Sequence, residues 1–144
     1  MSYTTNYQVF EIFEKFQKAK TRKDKVSVLQ KHSCMAVKDV LRGTFDDAIQ
    51  WNLPAGPVPY EENSEQSVPS SLLKQHLKFK YFVKGLRESE QLNSIRRERM
   101  FLEMCESVHP RDAEILVAMI NKKPPVKGLT KKLVQEAYPN LIQA

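Results

Sequence analysis

Four of the eight prolines in this chain fall between residues 53 and 70, at Pro54, Pro57, Pro59 and Pro69, with Gly56 among them. Proline lacks the amide hydrogen that a helix interior or a central strand needs, so no regular element runs through this stretch. The chain is thereby divided into two sets of elements joined by a long surface loop. Each set has its own periodicity.

Ahead of the loop, apolar residues recur at helical spacing. Thr5 and Gln8 have the form of a capping box, and Val9, Ile12, Phe13 and Phe16 then share one face, which predicts a first helix up to about Lys20. Thr21 with Asp24 repeats the capping logic for a short second helix carrying Val26 and Leu29. Ser33 is placed to cap a third helix with Val37, Val40 and Leu41. Gly43 is placed to end it in a left-handed conformation, and Thr44 to cap a brief fourth helix that stops near Trp51.

Behind the loop the same pattern resumes. Ser70 or Ser71 opens a helix over residues 72–84, with Leu72, Phe79, Val83 and Leu86 on one side. Asn93 or Ser94 caps another over 95–108, with Phe101, Leu102 and Cys105 inward. His109-Pro110 breaks it, and Pro110 suits the first turn of the next helix, where a missing amide hydrogen is no loss. The run over residues 115–120 is apolar all round, so that helix is expected at the centre of the molecule. Pro124 and Pro125 make a second loop over 122–128, after which Thr130 caps a last helix, stapled by Leu129 and Val134 and ended by Tyr138-Pro139. No segment alternates apolar and polar residues long enough to claim a sheet.

The expected fold is therefore all-α: a single domain over residues 1–144, a compact bundle of about seven or eight short helices, with the proline-rich, acidic loop at 53–70. Central positions are expected at Phe13, Phe16, Leu41, Phe79, Leu102, Ile115, Leu116, Met119 and Val134. With 144 residues and 41% hydrophobic content, one core can be built. The apolar run at 115–120 is too short to span a bilayer and no secretory signal opens the chain, so the expectation is a cytoplasmic protein with no membrane partner.

The chemistry-bearing residues are sparse. Cys34 and Cys105 are the only cysteines and lie in no paired motif, which reads as two reduced thiols rather than a disulfide. His32 with Cys34, and Cys105 with His109, each supply half of a zinc site, which needs about four ligands. With four glycines, at 43, 56, 85 and 128, no phosphate-cradling loop can be assembled. The pairs Asp46-Asp47 and Glu61-Glu62 are covered by helix capping and by a loop position. No catalytic, cofactor-binding or metal residue is therefore assigned, and the protein reads as non-enzymatic.

Charge is distributed unevenly around a net +6. Residues 15–31 hold seven bases and one acid, and residues 122–132 five bases and no acid, whereas 46–65 hold five acids and no base. Lys74, Lys78, Lys80 and Lys84 interleave with aromatics, and Arg96, Arg97 and Arg99 follow on the next helix, a pattern that can hold a nucleic-acid backbone. The spacing, however, sends most of the rings toward the core, which favours a solvated basic face and weak, non-specific binding. The loop supplies a different candidate surface: Trp51, Leu53, Val58 and Tyr60 between prolines are the kind of anchors that protein interfaces use. The alternative is that these side chains fold back over the protein's own core.

Six segments together resemble a family of small proteins of tailed bacteriophages, especially marine and cyanobacterial ones. They are AVKDVLRGTF at 36–45, IQWNLPAGPVPY at 49–60, YFVKG at 81–85, RERMF at 97–101, VHPRDA at 108–113 and KGLTKKLVQEAYP at 127–139. The resemblance spans nearly the whole chain and implies expression inside an infected bacterial host cell, while carrying over no activity and no functional residues. The leading expectation is an accessory protein that binds host or phage protein machinery. The alternative is a nucleic-acid-binding accessory protein using the basic helices at 72–84 and 95–99.

Overall fold

Most of the apolar runs at helical spacing form helices, and the computed structural model describes residues 7–61 and 71–142. The elements are α1 (Val9–Lys18), α2 (Arg22–Lys31), α3 (Met35–Phe45), α4 (Leu72–Gln75), α5 (Arg87–Glu90), α6 (Ser94–Ser107), α7 (Pro110–Ile120) and α8 (Lys131–Ala137). The fold is all-α, and no strand occurs among the described residues.

The cap chemistry explains most helix starts. Thr21 accepts from the Asp24 amide, Asn93 from the Arg96 amide and Thr130 from the Leu133 amide. Each thereby satisfies one of the donors a helix leaves open at its start. α1 departs from the expectation. Its capping box is made by Gln8 and Glu11, one turn later than the Thr5 box, and Thr5 lies outside the described residues. Ser33 does not cap α3 either. Cys34 holds that position without a side-chain bond, while Ser33 is buried.

α7 is the central element, packed against α1, α3 and α6. Ile115, Leu116 and Met119 are buried on it, as expected of its all-round apolar run. α2 lies between α1 and α8, with the Tyr138 hydroxyl donating to the Leu29 carbonyl and Gln30 Nε2 donating to the Ala137 carbonyl at 3.1 Å. Phe13, Phe16, Leu41, Phe79 and Val134 join the core as expected. Leu102 does not. It is half-buried, because α6 turns Phe101, Met104 and Cys105 inward and leaves Leu102 beneath the proline segment.

Three expected helices take a different form. α3 runs on through Gly43 and Thr44 to Phe45, so neither residue caps anything. The Thr44 hydroxyl bonds back to the Val40 carbonyl at 2.8 Å inside the helix. No fourth helix follows. Asp46 instead folds a turn by accepting from the Ala48 amide at 2.9 Å. The helix expected over 72–84 is one α-turn, α4, continued as a 3-10 turn over His76–Tyr81, and the short α5 follows. The 3-10 winding lets the chain turn back at Phe82 to meet the segment after α3.

Candidate functional site

The return of the chain at Phe82 creates an open cleft. Asn52 donates its amide to the Phe82 carbonyl at 2.6 Å and Lys84 donates to the Gln50 carbonyl at 2.7 Å, around an isolated antiparallel bridge between Trp51 and Val83. Trp51 is held from the other side by α3, where its indole N–H donates to the Gly43 carbonyl at 2.9 Å. The edge of the Phe79 ring meets Trp51 at 6.1 Å between centroids.

Between α3 and the 3-10 turn this leaves an open cleft of about 580 Å³. Trp51, Phe79 and Val83 supply apolar lining, and Leu77 and Leu86 stand at its edge, 67% and 41% exposed. Arg42, Lys80 and Lys84 line the same cleft, and none of them has a carboxylate partner among the described residues. The cleft's one acid, Asp39, sits 2.6 Å from Nδ1 of the buried His76. The Asp39 carboxylate thereby orients the His76 imidazole at the cleft wall. The arrangement offers binding: an apolar floor edged by cations.

The four residues singled out on the loop are half-buried and packed against the core, and they are divided among three hollows. Trp51 lines the cleft. Leu53 and Val58 face Phe101, Leu102 and Ile120 across a smaller apolar hollow of about 200 Å³, and Val58 with Tyr60 borders another beside Val117 and Asn121. The segment is fastened down between them. The Gly56 amide donates to Asn121 Oδ1 at 2.6 Å, and Asn121 Nδ2 donates back to the Gly56 carbonyl at 3.0 Å. The later part of the expected loop, 62–70, lies outside the described residues.

The seven basic residues are likewise separated. Lys80 and Lys84 line the cleft, Lys74 and Lys78 are exposed outside it, and Arg96 and Arg99 border a shallow hollow on α6 beside Ile95. Arg97 is not a surface base. It is buried and donates to the carbonyls of Asn52, Ser89 and Leu92 at 2.7, 3.0 and 2.7 Å, joining α5, α6 and the segment after α3. Sequence reasoning missed Asp39, Arg42, His76 and Leu77. The first and third are 37 residues apart and share no motif, so no spacing announced their bond.

The residues weighed for metal chemistry are occupied otherwise. His32 meets Tyr7 edge-on, and His109 stacks on Phe10 while accepting from the Arg111 amide. Both cysteines are free thiols, and burial, with the Glu106 charge adding, pushes the Cys105 thiol up to about 12. Among the described residues no three His, Cys, Asp or Glu side chains gather as a metal ion would require. No helix there is long and apolar enough to cross a membrane.

Fold and cleft thus define an all-α protein with an open, cation-edged apolar recess. Residues 12–124, from α1 to just beyond α7, match the Family of unknown function (DUF6433), and the chain belongs to that family. No curated protein and no solved structure matches it.

Proposed function

We propose that the protein is a non-enzymatic binding protein whose partner is another protein, docked at the cleft between α3 and the 3-10 turn. The observation that carries this reading is the placement of exposed Leu77 and Leu86 at the edge of a recess floored by Trp51 and Phe79. Large apolar side chains at the lip of an aromatic-lined hollow are interface material, and burying them on a partner recovers free energy that solvent exposure forfeits. Arg42, Lys80 and Lys84, which have no carboxylate partner among the described residues, select a partner segment carrying acidic residues beside its apolar anchor. The sequence resemblance to tailed-phage proteins supports an accessory role in the cytoplasm of an infected bacterium, acting on host or phage machinery.

The test is affinity capture from bacterial lysate with and without nuclease treatment, and with and without phage infection, using the wild-type chain and the double variant Leu77→Asp/Leu86→Asp. A protein retained by the wild type and lost by the variant, at unchanged helix content, supports the reading. Captured material that vanishes on nuclease treatment, or a partner indifferent to both substitutions, overturns it.

A further inference from the structure

The two basic runs of the sequence, residues 15–31 and 122–132, are about a hundred positions apart, yet the fold sets them side by side. α2 packs against α8. Arg22 pairs with Glu136 at 2.8 Å, and a Cβ on Gly128 would lie 4.0 Å from Cε of Lys25. We infer that the turn before α2, α2 itself and the segment running into the first turn of α8 form one basic face that binds duplex nucleic acid through its phosphate backbone.

Several bases on these elements are committed to the fold. Lys25 donates to the Phe16 carbonyl at 2.9 Å, Lys122 to the Asp46 carbonyl at 2.9 Å, and Lys131 faces Asp47 at 3.6 Å. The exposed remainder includes Lys20, Lys23, Lys127 and Lys132, none ion-paired among the described residues. Of the acids on the two helices, Glu136 is neutralised by Arg22, which leaves Asp24; Glu14 and Glu114 border the hollow that Lys127 lines, where Arg111 pairs with Glu14 at 3.6 Å. The local field is felt at the end of α2, where burial and then the charges of Lys15 and Lys31 hold His32 below the usual histidine range.

The chemistry of the face selects among polyanions. A lysine ammonium is a hydrated point charge that suits a phosphate and is depleted in protein–protein interfaces. A membrane surface would need an apolar face to insert, but Leu29 is buried and Val26 and Val28 pack against the core. Single strands are held by aromatic platforms. Here the Tyr7 ring already carries Lys15 at 4.4 Å, and Tyr138 lies beneath Lys38 with its hydroxyl bonded to Leu29.

The experiment titrates the full chain against a fluorescein-labelled random-sequence 20-base-pair DNA duplex between about 20 and 200 mM KCl. The wild type should bind measurably at the lowest salt and lose affinity steeply. The quadruple variant K20Q/K23Q/K127Q/K132Q should weaken binding at least tenfold and flatten the log–log salt slope by about 3.6, near 0.9 for each phosphate no longer neutralised. The four-lysine-to-arginine counterpart should restore both. A charge-matched control, K74Q/K78Q/R96Q/R99Q, should change affinity less than about threefold. Equal weakening by both glutamine variants would reduce the effect to net charge and overturn the inference. So would tighter binding to the single strand than to the duplex, or binding to phosphatidylserine vesicles with the same lysine dependence and none to DNA.

Discussion

The ring of Trp51 lies against Gly43 so closely that a Cβ on the glycine would stand 2.4 Å from Cζ2 of the indole and 3.0 Å from Sδ of Met119. Gly43 is therefore the point where the cleft floor, α3 and central α7 close on one another. Alanine is the better helix former by about 1 kcal/mol, but inserting a methyl into a filled site costs about 1–3 kcal/mol in displaced neighbours. Gly43→Ala should lower stability by about 1–2 kcal/mol in urea unfolding. Trp51 is the sole tryptophan, so its emission reports the displacement directly. A stabilised variant with native emission would show that the indole does not hold α3 in this way.

Arg97 supplies a second test of the same clamp. Its guanidinium donates to three carbonyls from three segments, a geometry that a lysine ammonium on a narrower stem cannot reproduce. Arg97→Lys should cost about 1–3 kcal/mol and Arg97→Ala about 2–4 kcal/mol, since each leaves buried carbonyls without donors. Thermal unfolding measures both. An unchanged midpoint would return Arg97 to the surface role that its neighbours Arg96 and Arg99 have.

The contrast between Arg97 and Arg96 shows where sequence reading reaches and where it stops. Helix identity and the central helix were legible, because Val9, Ile12, Phe13 and Phe16 on α1 and the run 115–120 on α7 carry their burial in local periodicity. Caps at Thr21, Asn93 and Thr130 were legible for the same local reason. What failed depended on distant partners. Gly43 reads as a helix terminator until Trp51 and Met119 are seen to need its missing side chain. Arg97 reads as one base in a cluster until Asn52 and Ser89 arrive as acceptors. The cleft is non-local throughout, with Asp39 and Arg42 from α3 and His76 and Lys80 from the 3-10 turn, so Arg42 and Leu77 stood in no motif, while Lys80 and Lys84 were read in a basic pattern that gave no hint of the cleft.

The two thiols should behave differently. Cys34 is half-buried at the start of α3, whereas Cys105 is buried on α6 with its thiol pushed up to about 12 by burial and then by Glu106. Only the thiolate attacks a disulfide reagent. At pH 8 the native protein should release one equivalent from an aromatic disulfide reagent and the second only in denaturant. Cys34→Ser should remove the native equivalent and Cys105→Ser should leave it. Two equivalents released together from the folded protein would contradict the burial of Cys105.

Asp112 gives the fold a pH dependence of defined sign. Its Oδ1 accepts from the Phe10 amide at 3.0 Å, tying α1 to the first turn of α7, while its Oδ2 is buried with no hydrogen-bond partner. Burial pushes the carboxyl up to about 7, against the Phe10 hydrogen bond, which favours the charged form, and with the Glu11 charge adding to the rise. The folded state thus holds this proton more tightly than the unfolded chain does. Its contribution is full below about pH 4, is lost as pH rises toward 7, and is absent above that. Asp112→Asn keeps an oxygen for the Phe10 amide and removes the ionisation. The variant should therefore gain on the wild type as pH increases from 4 to 8, by at most about 4 kcal/mol, with the difference constant beyond. Urea unfolding at half-unit intervals measures the difference, and parallel stability curves would mean that the Asp112 carboxylate is solvated in the folded protein.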